Sequence, residues 1–157
     1  MCADGIYDAE IDSVTGQTIF TYGSDGRIDT QTDALGHVTR FSYTERGDLF
    51  RRWGNADYPV EFAYDEFGQR TGMTTFRGGG TSFDGASWPS SPSGDTTSWV
   101  FKEHSPLLWK KIDAATEEVV YDYDEASRLV TRQWARGITT TYGYASDGSG
   151  DRVSTTL

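Results

Sequence analysis

The residues that could do chemistry are few and poorly spaced for it. His37 and His104 are the only histidines and stand far apart, so a metal site on paired imidazoles is not expected. Cys2 is the single cysteine, which leaves no intrachain disulfide. His104-Ser105 are mere sequence neighbours, and no Gly-x-Ser-x-Gly elbow exists to present a nucleophile. Gly78-Gly79-Gly80 lacks the Lys-Ser/Thr pair of a phosphate loop. Asp147-Gly148-Ser149-Gly150-Asp151 spaces oxygens like the start of a calcium loop, but the bidentate Glu would fall beyond Leu157, so a long hairpin turn is expected. Glu117-Glu118 would point to opposite faces of a strand, whereas glycoside hydrolysis needs two carboxyls converging on a cleft. Asp65 and Asp124 each follow a Tyr and suit turn capping, their carboxylates accepting backbone N–H groups. The expectation is no catalytic residue, no metal and no cofactor.

What the elements do position is aromatic. Pairs of the form aromatic-x-Tyr recur at Phe20/Tyr22, Phe41/Tyr43, Phe62/Tyr64, Tyr121/Tyr123 and Tyr142/Tyr144. Their second members lie 21 residues apart, except between Tyr64 and Tyr123. Trp99/Phe101 fills that gap as a degenerate copy, 22 residues before Tyr123, with one insertion ahead of it. A fixed period signals one supersecondary unit copied along an array. In the clearest copy, Glu118 to Tyr123 is an outward strand with Val119, Tyr121 and Tyr123 on one face. A turn at Asp124–Ser127 follows, then a return strand to Trp134, a second turn at Arg136-Gly137, and the next outward strand to Tyr144.

The other copies keep this grammar. Gly26, Gly47 and Gly68 stand four residues after Tyr22, Tyr43 and Tyr64, with Ser127 in that place after Tyr123. The position favours positive φ, so the Ser copy should be strained or use another turn type. Gly16, Gly36 and Gly137 mark the second turn, and Ile28, Leu49 and Leu129 restart the return strand, with Arg70 the exception. Ile6–Val14 and Arg152–Leu157 read as partial repeats.

Composition agrees. Five Trp, nine Tyr and eight Phe with 18 Gly suit strands and tight turns better than helices. A net charge of -10 should repel nucleic acid and anionic membranes. Arg51-Arg52 and Lys110-Lys111 read as isolated, solvated strand positions. No apolar run approaches a membrane span, and no secretory-type N-terminus is visible.

Tyr64-Asp65-Glu66-Phe67-Gly68-Gln69-Arg70 and Tyr123-Asp124-Glu125-Ala126-Ser127-Arg128-Leu129 resemble the YD (Rhs) repeat, whose core reads Tyr-Asp-x-x-Gly-Arg-Leu. Residues 22–28 and 43–49 are weaker copies. The resemblance covers nearly the whole chain outside the insertion. It implies an all-β, antiparallel β-hairpin repeat array, a curved or spiralling sheet like part of the shells that enclose cargo in polymorphic toxins and toxin complexes. It also implies secretion or surface display, and, for some members, carbohydrate binding. The array here is shorter than a closed shell requires, so the resemblance points to a non-enzymatic segment of such a wall.

The chain is expected to be one β domain, 1–157, with a Gly/Ser/Pro-rich insertion at about 77–98. Tyr22, Tyr43, Tyr64, Phe101, Tyr123 and Tyr144 are expected to form its repeat core, stacking as ladders across neighbouring strands. Trp53, Trp88, Trp99, Trp109 and Trp134 are candidate platforms for a sugar ring, with Trp88 also able to anchor the insertion. Trp53, Trp109 and Trp134 fall near the same place in the return strands. A flat sheet of this width would expose an apolar face and two edges, so strong curvature or association is expected. The expected partners are further repeats of the same kind, or copies of the chain, through edge strands.

Overall fold

The computed structural model describes residues 8–12, 16–56, 58–77, 82–145 and 152–156. Cys2, Gly78-Gly79-Gly80 and the Asp147–Asp151 stretch lie outside them. Every regular element described is a strand. They are β1 (Asp8–Asp12), β2 (Gly16–Tyr22), β3 (Ile28–Thr32), β4 (Val38–Tyr43), β5 (Leu49–Gly54), β6 (Val60–Tyr64), β7 (Arg70–Thr75), β8 (Asp95–Phe101), β9 (Leu108–Ile112), β10 (Glu118–Tyr123), β11 (Leu129–Gln133), β12 (Thr139–Tyr144) and β13 (Arg152–Thr156). They follow one another through a single sheet in chain order. The expected all-β array of antiparallel hairpins is what forms, with outward strands even-numbered and return strands odd-numbered. By packing, the chain divides into two units, Met1–Ala63 with Met73–Asp95 and Tyr64–Gly72 with Thr96–Leu157.

One turn design closes the hairpins. The N–H of the first turn residue donates to the carbonyl four residues on, and the N–H three residues on donates back. Gly23, Thr44, Asp65 and Asp124 begin such turns after outward strands; Asp33, Asp113 and Trp134 begin them after return strands. This is the three-residue hairpin loop that needs one left-handed residue beside a bulge. Gly26, Gly47, Gly68, Gly36 and Gly137 supply positive φ, but so do Ser127 (φ 62°) and Thr116 (φ 67°). The Ser copy therefore keeps the common turn and carries the strain. Register shifts beside Tyr22, Tyr43, Phe101, Tyr123 and Tyr144 mark the bulge in five hairpins. Gly16, expected to mark the second turn, stands at the first place of β2, opposite Asp12.

The register explains the period. Phe20 stands across from Gln31, and Gln31 from Thr39. Phe41, Arg52 and Val60 repeat that row, as do Trp99, Lys111 and Val119, and then Tyr121, Arg132 and Thr140. Outward strands are two places apart, roughly 10 Å at the usual strand spacing. The aromatics therefore do not meet as the expected uninterrupted ladder. A long polar or cationic side chain of the return strand stands between an aromatic on one side and a β-branched residue on the other.

Burial is correspondingly thin. Among the described residues the buried apolar side chains are Trp53, Val60, Phe76 and Phe83, with Pro59 beside Val60, and none falls below 2 % exposure. Three of these rings belong to the insertion's anchor. Trp88 meets Trp53 edge-on at 5.7 Å, Phe76 at 5.2 Å and Phe83 at 5.0 Å. Trp53 also donates its indole N–H to the Gly85 carbonyl at 3.2 Å. The insertion is thus folded back onto β5. It is also shorter than its composition suggested, because β8 already begins at Asp95, where Asp95-Thr96-Thr97-Ser98 extends the strand.

Candidate functional site

The recurring constellation lies where the first turn of one repeat meets the aromatic pair of the next. The Arg27 guanidinium is 5.6 Å from the Tyr43 ring centroid, and Arg128 is 4.6 Å from that of Tyr144. The same offset of 16 residues governs both pairs. Lys102 covers Tyr123 at 5.3 Å, whereas Arg70 lies 5.9 Å from Tyr64 in its own hairpin. Such contacts use the negative face of the ring and are each worth about 0.5–1 kcal/mol where solvent reaches them. The hydroxyls are used as well: Tyr123 donates to the Leu108 carbonyl at 3.0 Å and Tyr144 to the Leu129 carbonyl at 2.7 Å. Tyr22, Tyr43, Tyr64, Phe101, Tyr123 and Tyr144 are all half-buried.

Asp carboxylates fix the turns. In Asp33, Asp65, Asp113 and Asp124 one carboxylate oxygen accepts the N–H groups two and four residues on, at 2.8–3.0 Å. Asp25 does part of this from within its turn, accepting the Arg27 N–H, because Gly23 occupies the first place. The backbone N–H of His37 holds the Asp33 carboxyl below its ordinary value, and that of Arg128 does the same for Asp124. Asp65 and Asp124 thus take the turn-capping position expected of them.

Between Asp25, Arg27, Asp29, Phe41 and Tyr43 lies a shallow cleft of ≈ 240 Å³. Its chemistry is already committed internally. Arg27 pairs with Asp25 at 2.9 Å, and burial, with the Asp25 charge adding to it, pushes the Tyr43 phenol up. A phenol so shifted stays protonated and is no nucleophile at neutral pH. Among the described residues no group of three or more His, Cys, Asp and Glu is placed to hold a metal ion.

The tryptophans do not share one environment. Trp53 is 7 % exposed and takes part, with Trp88, in the insertion's anchor. Trp99 stands opposite Lys111 in the row described above. Trp109 and Trp134 are 43 % and 36 % exposed, but Lys110 Nζ lies 4.6 Å from the first ring and the Arg132 guanidinium 3.5 Å from the second. Arg132 also lies 5.6 Å from Tyr121, its Nε buried, and Trp134 donates its indole N–H to the Thr140 hydroxyl at 3.1 Å.

Of the basic pairs read as solvated, Arg51, Arg52 and Lys110 do structural work, whereas Lys111 is exposed as expected, because strand alternation sends the members of each pair to opposite faces. Arg51 meets Glu61 at 2.6 Å and lies over Phe50 and Trp88, whereas Arg52 Nε is buried. Lys110 pairs with Glu118 at 2.6 Å. Sequence reading missed the 16-residue Arg-to-Tyr offset and the β-branched residue two places before each first aromatic. Both were visible as spacings: Thr18, Thr39, Val60, Thr97, Val119 and Thr140 precede all six pairs.

No protein-family model matches this sequence, and no curated protein does. Solved structures share the fold. The chain aligns with the crystal structure of TcdB2-TccC3-Cdc42 at a TM-score of 0.63 and 19% identity. What this chain shares with that structure is the all-β antiparallel sheet fold. A second Tc toxin structure, TcdB2-TccC3 without its hypervariable C-terminal region, gives 0.61 at 20% identity, and each alignment covers 92% of this chain. The Photorhabdus luminescens Tc holotoxin pore, carrying a TccC3 mutation, gives 0.53 at 17% identity over 89%. This chain spans only 7% of the length of the first of these Tc toxin chains and 9% of that of the holotoxin pore.

Proposed function

We propose that this chain is a non-enzymatic structural repeat module, a segment of the kind of sheet that walls an encapsulating shell of a secreted or surface protein. The observation that carries the reading is the repeated row of aromatic, long polar and β-branched residues. That row binds each hairpin to its neighbours and builds no enclosed core. Stability in such an array comes from repeat-to-repeat contacts, so the chain acts by being continuous, not by holding a reacting group. The acidic surplus keeps it soluble. Carbohydrate stacking gains no support, since Trp53 and Trp88 are packed in the anchor and Trp109 and Trp134 already carry cations.

The test is excision of one whole period, residues 23–43, which rejoins Tyr22 to Thr44. A nearest-neighbour array should close up in register and keep its strand signal per residue in far-ultraviolet circular dichroism. Loss of all folded signal would sink the reading, as would retention of the intact chain on a glycan panel abolished by Trp109→Ala or Trp134→Ala.

A further inference from the structure

The sequence holds four Asp-Gly steps. In such a step the backbone nitrogen of Gly reaches the neighbouring side-chain carboxyl with no Cβ to obstruct it. Asp4-Gly5 and Asp147-Gly148 lie outside the described residues. The other two, Asp25-Gly26 and Asp84-Gly85, are held in opposite ways.

At Asp25-Gly26 both reacting groups are occupied. The Gly26 N–H donates to the Gly23 carbonyl at 3.0 Å. The Asp25 carboxylate accepts the Arg27 backbone N–H at 3.1 Å and its guanidinium at 2.9 Å. Asn55, the single asparagine, is committed too, its side-chain oxygen accepting the Val38 N–H at 2.6 Å.

At Asp84-Gly85 neither group is engaged. Among the described residues the Asp84 carboxylate takes part in no hydrogen bond or ion pair; only the Asp84 N–H is used, donating to the Ser82 hydroxyl at 3.3 Å. The peptide unit joining the two residues is likewise unbonded at its Asp84 carbonyl and at its Gly85 N–H. Asp84, Gly85, Ala86 and Ser87 are exposed, and a Cβ at Gly85 would meet only the Ser87 carbonyl oxygen, at 3.9 Å. That peptide plane can turn without breaking a hydrogen bond, and turning brings the Gly85 nitrogen onto the Asp84 carboxyl carbon. The chain on either side is fixed. Phe83 is 8 % exposed within the insertion's anchor, and the Gly85 carbonyl accepts the Trp53 indole N–H at 3.2 Å.

We infer that Asp84-Gly85 is a site of spontaneous backbone isomerisation, and that its product unlatches the insertion from β5. The Gly85 nitrogen attacks the protonated Asp84 carboxyl. The N–H proton and the carboxyl hydroxyl leave together as water, and a cyclic imide closes. Water then opens the ring at either carbonyl. Opening at the main-chain carbonyl leaves Asp84 joined to Gly85 through its former side chain, with a free carboxylate on Cα. One water is lost and one regained, so no oxidant or other reactant is needed. The chain now runs through one more carbon–carbon bond ahead of Gly85, about 1.5 Å. A 3.2 Å hydrogen bond from Trp53 does not survive such a displacement, and the indole turns to water for its acceptor.

The intact chain is incubated at mildly acidic and at neutral pH and then digested. Its isoaspartyl residues are labelled with a protein-isoaspartate methyltransferase and placed by mass spectrometry. The expected result is label at residue 84 that grows with time, faster at mildly acidic pH, where more of the carboxyl is protonated. A red shift of tryptophan emission should keep step with it. Residue 25 should stay unlabelled in the folded protein and gain label only in urea, where neither step is protected. Gly85→Ala, whose methyl has room, should lose the label at 84 and keep its emission unshifted. Equal labelling of residues 25 and 84 in the folded protein, or none at 84, overturns the inference. Label at 84 without an emission shift overturns the unlatching.

Discussion

The left-handed turn position offers a test in which the sign of the effect changes with the residue replaced. Thr116 (φ 67°) and Ser127 (φ 62°) occupy the place that Gly36 (φ 82°) and Gly137 (φ 80°) fill elsewhere. A Cβ at Gly36 would meet no atom within 4 Å, so Gly36→Ala carries only the backbone term. That term is about 1–2 kcal/mol for an L-residue in the left-handed region. Replacing Gly also removes about 0.4–1 kcal/mol of unfolded-state entropy, leaving a net loss of about 1 kcal/mol. The same arithmetic reversed makes Ser127→Gly stabilising by about 0.5–1 kcal/mol, and Thr116→Gly at least as much, since a β-branched residue tolerates positive φ least. Gly54 (φ 138°) is different in kind: a Cβ there would overlap the Val38 carbonyl oxygen. That carbonyl also accepts the Asn55 N–H at 3.1 Å, so Gly54→Ala must part β4 from β5 and should cost more than about 3 kcal/mol. Urea unfolding followed by tryptophan fluorescence gives the midpoint and slope for each variant. The reasoning fails if Ser127→Gly and Thr116→Gly lower the midpoint, or if Gly36→Ala is as damaging as Gly54→Ala.

Other perturbations follow from the same contacts. Because folding lowers the Asp33 and Asp124 values, the ionised carboxyls stabilise the fold fully above the ordinary carboxylate value of 3.8, and this is lost as pH falls through the lower folded values. Thermal melts from pH 7 to pH 2.5 should show this acid loss, and Asp33→Asn with Asp124→Asn should flatten it while keeping the turn acceptor; an unchanged acid limb in the double variant contradicts the assignment. Trp88→Ala should cost about 2–3 kcal/mol, less than full ring burial because Trp88 is only partly covered, and should shift Trp53 emission to the red. No emission shift would mean that the insertion does not shield Trp53. Arg132→Ala should cost about 1–2 kcal/mol by uncovering Tyr121 and Trp134, while Arg132→Lys should recover only part of it, an ammonium lacking the flat guanidinium face. Full recovery by Lys would show that charge alone matters there.

Much of the architecture was legible because a fixed period leaves few choices. The strand starts at Ile28, Leu49 and Leu129 are those marked by the apolar restart after each turn, and β10 spans the residues expected of it. Trp99/Phe101 takes its place as an outward pair in β8, although its turn is one residue longer: Lys102 donates to the Leu107 carbonyl, with His104 at positive φ. What was not legible was the lateral neighbour. Strand alternation says which face a residue takes but not what stands beside it, and register must be known before Phe41 is seen to face Arg52 and not another ring. The same gap misread Arg51-Arg52 as solvated, since the sequence cannot show that Glu61 and Trp88 arrive beside the first of them.

A sheet with so little enclosed apolar surface needs another source of order, and the long side chains of the return strands provide it. An Arg or Lys flattened between an aromatic and a β-branched residue covers apolar surface with its methylenes while keeping its charge near solvent. The cation then engages the ring, as Arg132 does with Tyr121 and Trp134. Coverage of this sort works one row at a time and does not require a second layer. It explains how a chain with net charge -10 can still concentrate Arg and Lys at Arg27, Arg52, Lys110, Arg128 and Arg132, where they serve the sheet. It also makes repeats exchangeable in type but not in order: β3, β5, β9 and β11 each have an aromatic before them and a β-branched residue after them. That polarity, more than the size of any one contact, allows such an array to lengthen in one register only.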